Sequence, residues 1–172
     1  VKRSIGRIFA VLLLGLLASV PRPAAAQAAA PAATKATDLI VVLDTSESVL
    51  PWYRDVTEYL IGPFVKDYLR LGDTIHLLSY GKETRLELVR NIEAERDIKT
   101  VLGTMYLLYP LDRNSDLIAA LVYLKTYVAG LPPDRPKIIV IMTDGLQKAP
   151  AGGVWAGLDD KAAARETEKA AA

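Results

Sequence analysis

Two uninterrupted aliphatic runs, each ending on an aspartate, dominate the chain: Leu39-Ile40-Val41-Val42-Leu43-Asp44 and Ile138-Ile139-Val140-Ile141-Met142-Thr143-Asp144. Continuous runs rich in β-branched residues, bounded by polar turn residues, suit buried parallel strands covered on both faces better than half-exposed alternating ones. From Trp52 to Leu71 the apolar residues Val56, Tyr59, Leu60, Phe64, Tyr68 and Leu71 recur at helical spacing. Gly62-Pro63 is placed to kink or divide that helix, and Gly72 to end it. Residues 74–80 and 85–89 read as strands joined across the Gly81-Lys82-Glu83-Thr84 turn, which gives the sheet an antiparallel edge. Residues 95–109 have helical periodicity up to Pro110, and residues 111–115 form a polar loop. A further helix at 116–129 sets Leu117, Ala120, Leu121 and Leu124 on one face and is closed by Gly130; the turn Pro132-Pro133-Asp134-Arg135-Pro136 then leads into a strand at 137–143. The fold class expected is α/β, a mostly parallel sheet flanked by helices.

The flanking segments differ in kind. Lys2, Arg3 and Arg7 precede an apolar stretch from Ile8 to Ala18, and Ala24-Ala25-Ala26 stands before Gln27, so residues 1–26 read as a cleavable export signal. The apolar run is about 11 residues, short of the roughly 18 needed for a span, so no membrane span is expected after cleavage. Export implies a periplasmic or secreted location. Residues 27–37 carry no large apolar side chain and read as an Ala/Pro-rich linker; 38–150 form the domain; 151–172, rich in Ala, Glu and Lys, read as a polar tail with helical character. Composition fits one domain with a real core: 172 residues, 51% hydrophobic, 24% charged, no cysteine. Without Lys2, Arg3, Arg7 and Arg22 the chain has 17 basic against 20 acidic residues, a net charge of −3, which argues against nucleic-acid binding.

Chemistry is expected at the carboxyl ends of the strands, where open α/β sheets bind ligands. Asp44-Thr45-Ser46-Glu47-Ser48 places a carboxylate and two hydroxyls at alternate positions just beyond a strand end, an oxygen donor set for a hard cation. This segment matches the D-x-S-x-S pattern of von Willebrand factor type A domains. Leu71-Gly72-Asp73-Thr74-Ile75-His76-Leu77-Leu78-Ser79-Tyr80 is similar to that family's second-strand segment, Ser115-Asp116-Leu117-Ile118-Ala119-Ala120-Leu121 to its T-D-L-x-x-A-L segment with serine in place of threonine, and Thr143-Asp144-Gly145 to its T-D-G.

The resemblance, covering about residues 38 to 150, implies a Rossmann-like sheet with a metal-ion-dependent adhesion site. Ser46, Ser48 and Ser115 would ligate through their hydroxyls, and Asp44 and Asp144 directly or through water. The ion would be a divalent cation, Mg²⁺ first, with Ca²⁺ or Mn²⁺ as alternatives. Its vacant position would accept an Asp or Glu from a protein partner, so the activity implied is recognition and not enzymatic. The family pattern continues with two more strand and helix units, whereas 27 residues follow Gly145 here. On that reading the chain is C-terminally truncated and its fourth strand is a bare apolar edge. Two other readings remain open. One is a metal-free scaffold or remnant of the same fold. The other is a haloacid dehalogenase-type phosphatase with Asp44 as nucleophile, although Ser46 stands where that family has a second aspartate. Asp112-Arg113-Asn114-Ser115-Asp116 imitates an EF-hand loop, but Leu117 and Tyr123 replace its glycine and glutamate. His76 reads as a core residue, Trp52, Tyr53 and Trp155 as packing, and Glu47 as solvated.

Overall fold

The computed structural model describes residues 35–172. The segment expected to be an export signal and most of the expected linker lie outside the described residues. The chain runs through β1 (Asp38–Asp44), a 3-10 turn (Glu47–Trp52), α1 (Tyr53–Tyr59), a π-helical turn (Leu60–Phe64), α2 (Val65–Tyr68), β2 (Thr74–Tyr80), β3 (Thr84–Asn91), α3 (Glu95–Leu107), α4 (Leu117–Ala129), β4 (Lys137–Met142) and α5 (Asp160–Ala171). The four strands form one sheet in the order β3-β2-β1-β4. β1 pairs in parallel with both β2 and β4, and β3 pairs antiparallel to β2, the hairpin edge that the turn at Gly81 predicts.

β1 is the axis of the core, buried along its whole length. Its side chains alternate between two apolar layers, as the period of two in a strand requires. Leu39, Val41 and Leu43 pack with Leu60, Phe64, Ile75, Leu77, Val101 and Met105; Ile40 and Val42 pack on the other face with Leu78, Tyr80, Leu117, Leu121 and Leu124. Each fully buried aliphatic side chain contributes about 1.5–3 kcal/mol, so the sheet sandwiched between helices accounts for most of the fold.

β4 departs from expectation. It reads as a strand covered on both faces, yet Ile138, Ile139 and Ile141 are 41%, 44% and 37% exposed. The physical reason is position: among the described residues β4 pairs only with β1 and forms one edge of an open sheet. The bare apolar edge expected of this strand is therefore present. The helix ahead of β2 ends at Tyr68 and not at Gly72, which instead lies at φ +92° in the turn leading to β2. Gly62-Pro63 does divide that helix: both fall in the π-helical turn, where the missing Pro63 N–H breaks the regular ladder. Residues 160–171 are helical, and α5 lies against α4 with Ala163 buried.

Candidate functional site

The strand order places the carboxyl end of β1 at a crossing point. From β1 the chain moves outward to β2 and β3, then returns through α3 and α4 to β4 on the other side of β1. Loops from both sides diverge there, leaving a crevice above the strand ends. Register levels three of those ends: Asp44 is opposite Tyr80, and Leu43 is opposite Met142, so Thr143 follows beside Asp44.

Asp44 is the hub of this crevice. Its carboxylate, 6% exposed, accepts hydrogen bonds on both oxygens. Oδ1 receives the Ser46 amide at 2.9 Å and the Ser46 hydroxyl at 2.6 Å. Oδ2 receives the Thr143 hydroxyl at 3.0 Å and the Ser115 hydroxyl at 3.3 Å, with the Tyr80 phenol at 2.8 Å. The Tyr80 hydroxyl also sits 2.6 Å from Thr143 Oγ1, so its single proton is shared between the two. Burial first, and then the Asp44 charge, push the Tyr80 phenol far above its ordinary range, which keeps it a donor. Ser46 Oγ lies 2.9 Å from Ser48 Oγ. Asp44, Ser46, Ser48 and Ser115 thus converge in one hydrogen-bonded cluster. The Asp144 carboxylate is exposed and accepts the Leu146 amide at 3.0 Å.

The loops are fastened to one another by backbone. Thr45 N donates to Tyr80 O at 2.8 Å, Glu47 N to Asp112 O at 2.7 Å and Asp112 N to Thr45 O at 3.0 Å, tying the loop after β1 to the loop before α4. Ser115 and Lys148 exchange backbone bonds of 2.9 and 2.6 Å, bringing the segment after β4 alongside. Gln147 completes this tie: its Nε2 donates to Asp116 Oδ1 at 2.9 Å, and its Oε1 accepts from Ile118 N at 3.1 Å. Asp116 caps α4 by accepting the Ala119 amide at 3.2 Å. A cleft of about 290 Å³ opens over Ser46, Ser48 and Ser115, with Glu47, Arg113 and Lys148 also lining it.

Sequence reasoning passed over Thr143, Tyr80, Gln147 and Lys148. Tyr80 closes β2 and Thr143 directly follows β4, so their places at strand ends were the available signal; Gln147 and Lys148 lie in a loop with no local pattern. Among the described residues no group of three or more His, Cys, Asp or Glu side chains gathers as a metal site. The donors brought together here are hydroxyls around a single carboxylate.

This architecture, a mixed four-stranded sheet flanked by helices with a Ser-rich loop after its first strand, is the fold of von Willebrand factor type A domains. The solved structures similar to it include a von Willebrand factor type A protein from Catenulispora acidiphila, at 11% identity and a TM-score of 0.56 over 79% of this chain and 30% of that one. Proximal thread matrix protein 1 from the mussel byssus, solved with a zinc-occupied metal-ion-dependent adhesion motif, matches at 15% identity and 0.51 over 78% of this chain and 36% of that one. The pilus adhesin SpaC from Lactobacillus rhamnosus GG matches at 11% identity and 0.53 over 67% of this chain and 16% of that one. The chain therefore spans about a third or less of the length of these proteins. No protein-family model and no curated protein matches the sequence.

Proposed function

We propose that the protein is an exported, metal-dependent protein-binding module whose site is built on Asp44, Ser46, Ser48, Ser115 and Asp144. The observation that carries this reading is the convergence of three loops, distant in sequence, on the Asp44 carboxylate. Hydroxyls from each loop surround a single buried acid, a donor set suited to a hard cation. The 2.9 Å between Ser46 Oγ and Ser48 Oγ supports it further, since adjacent ligands of an octahedral ion held at about 2.1 Å stand about 3 Å apart. A divalent cation there, Mg²⁺ foremost and Ca²⁺ or Mn²⁺ as alternatives, would supply an open coordination position for an Asp or Glu of a partner protein.

The chain's own residues set the conditions for that binding. Ser46, which caps the 3-10 turn after β1, and Ser48, within that turn, hold their hydroxyls 2.9 Å apart. Ser115 is held by its backbone pair with Lys148. Tyr80 and Thr143 orient Asp44 from below through its Oδ2. Asp144, one residue beyond Thr143, is the second carboxylate that would balance a divalent charge. Similarity in fold to a byssus matrix protein and a pilus adhesin supports recognition outside the cell over catalysis. Against the phosphatase reading, Ser46 stands where that family has a second aspartate.

Titration calorimetry with Mg²⁺ and Mn²⁺, paired with thermal melts, tests the proposal. The wild-type chain is expected to release or absorb heat and to melt higher as the ion is added, and Ser46→Ala, Ser115→Ala and Asp144→Ala to lose most of both effects. A wild-type chain with neither response overturns it.

A further inference from the structure

We infer that the cleft over the serine cluster selects a partner segment carrying two carboxylates, one directed to the hydroxyl site and a second to the cations Arg113 and Lys148. The inference deepens the binding reading above and rests on it for the first carboxylate only. Burial sorts the cleft into floor and rim: Ser46 and Ser115 are 3% and 2% exposed, whereas the Arg113 side chain is 87% exposed. At about 290 Å³ the cleft sits at the bottom of the range of about 300–1,000 Å³ typical of small-molecule sites. It suits one or two side chains presented by a partner.

The rim is under-compensated. Among the described residues Arg113 ion-pairs with Glu47 alone, at 3.8 Å, outside hydrogen-bonding distance. The Lys148 ammonium has no ion-pair partner among the described residues, although its backbone is held beside Ser115 by two hydrogen bonds and its carbonyl accepts from Asn114 Nδ2 at 3.4 Å. Asp44 lies beneath the serines, held there by their hydroxyls, and forms no ion pair with either cation. Two cations thus face a cleft that contributes one exposed carboxylate of its own. A single acid captured at the floor leaves a rim cation without a counter-charge, and a second acid close by in sequence meets it. Solvent-exposed pairs are individually weak, so the rim confers preference among acidic partners and not the binding itself.

The test titrates capped Gly-Gly-Glu-Gly-Gly and Gly-Glu-Gly-Glu-Gly peptides into the full chain in Mg²⁺. The two-glutamate peptide is expected to bind roughly three- to tenfold tighter, beyond the factor of about two that two equivalent acids give statistically, and the ratio shrinks with added salt. In the Arg113→Gln, Lys148→Gln double variant the ratio falls to about two while a Mg²⁺ heat is retained. A ratio near two in the wild type, a preference that survives in the double variant, or no binding of either peptide overturns the inference. Failure of the metal reading shows itself separately, as peptide affinity indifferent to EDTA and no Mg²⁺ heat, while the ratio and its response to the double variant still judge the rim cations.

Discussion

A glycine decides whether the site can be assembled. Gly81 follows β2, and a Cβ built on it would stand 2.6 Å from Asp112 Oδ2 and 2.7 Å from Asp112 Cβ. That closeness is used: Lys82 N donates to Asp112 Oδ2 at 2.8 Å, and Asp116 N donates to Gly81 O at 2.9 Å, so the loop bearing Ser115 is seated directly on Gly81. Gly81→Ala must push back the Asp112 stem as well as its tip. The expected cost is about 1–3 kcal/mol, the range for overpacking a tight contact, read as a lower denaturation midpoint. The pattern of residues marked Gly81 as a turn and no more. Asp44, Ser46, Ser48 and Ser115 were legible because they fall in short motifs. Tyr80 was legible only as the aromatic end of a strand, since its bond to Asp44 depends on which strands are neighbours.

Among the elements, β4 shows how far a hydrophobic pattern can mislead about burial. Its residues have the composition of a central strand, and β1, with the same composition, is fully buried. The difference lies in neighbours: two for β1, one for β4. Grooves open on both faces of β4, one of about 690 Å³ against Val49, Trp52 and Val56, and one of about 390 Å³ against Leu121, Leu124 and Val128. Unpaired strand edges with apolar faces associate. The wild-type chain is expected to show an apparent mass by light scattering that rises with concentration, and Ile139→Lys to reduce that rise with little change in melting temperature, because Ile139 is 44% exposed. Scattering identical in the two proteins would show that this edge does not drive association. The helix interrupted at Gly62-Pro63 is the opposite case: the breaker was visible in the residues, and the chain answers with a π-helical turn that keeps Leu60 and Phe64 buried.

Across the molecule, the end of the sheet opposite the site is closed by charges from several elements. His76 of β2 is buried, its Nδ1 2.7 Å from the Tyr127 hydroxyl of α4 and its Nε2 3.9 Å from Asp38 Oδ1 of β1 without a hydrogen bond. Arg135, ahead of β4, approaches the same Asp38 oxygen at 2.9 Å. Burial lowers the His76 pKa; Arg135 and Lys137 act in the same direction and Asp38 opposes them. The unfolded chain takes up this proton near pH 6.5 and the folded chain only at lower pH. Between those values the unfolded state binds more protons, so stability falls as pH drops below about 6.5. Melting temperatures measured from pH 7.5 down to 5 should decline through that window, and His76→Gln should flatten the decline. A variant with the same slope as the wild type would assign the effect to other groups.

Local pattern was enough to define the α/β class, the antiparallel hairpin, the limits of α4 and the two strands that end on aspartates, because each follows from residues close together in the chain: the period of a strand or helix, a turn, a breaker, a cap. It also marked the loop after β1 as a place for ligand chemistry, and the resemblance to von Willebrand factor type A domains added Ser115. Strand order lay beyond it, since the same strands could stack in several orders with the same periodicity, and strand order makes β4 an edge, sets Tyr80 and Thr143 beside Asp44 and threads Lys148 next to Ser115. The bonds of Tyr80 and Thr143 to Asp44 join residues 36 and 99 positions apart. They exist because parallel register brings separate strand ends level, a relation in space that no short stretch of sequence records.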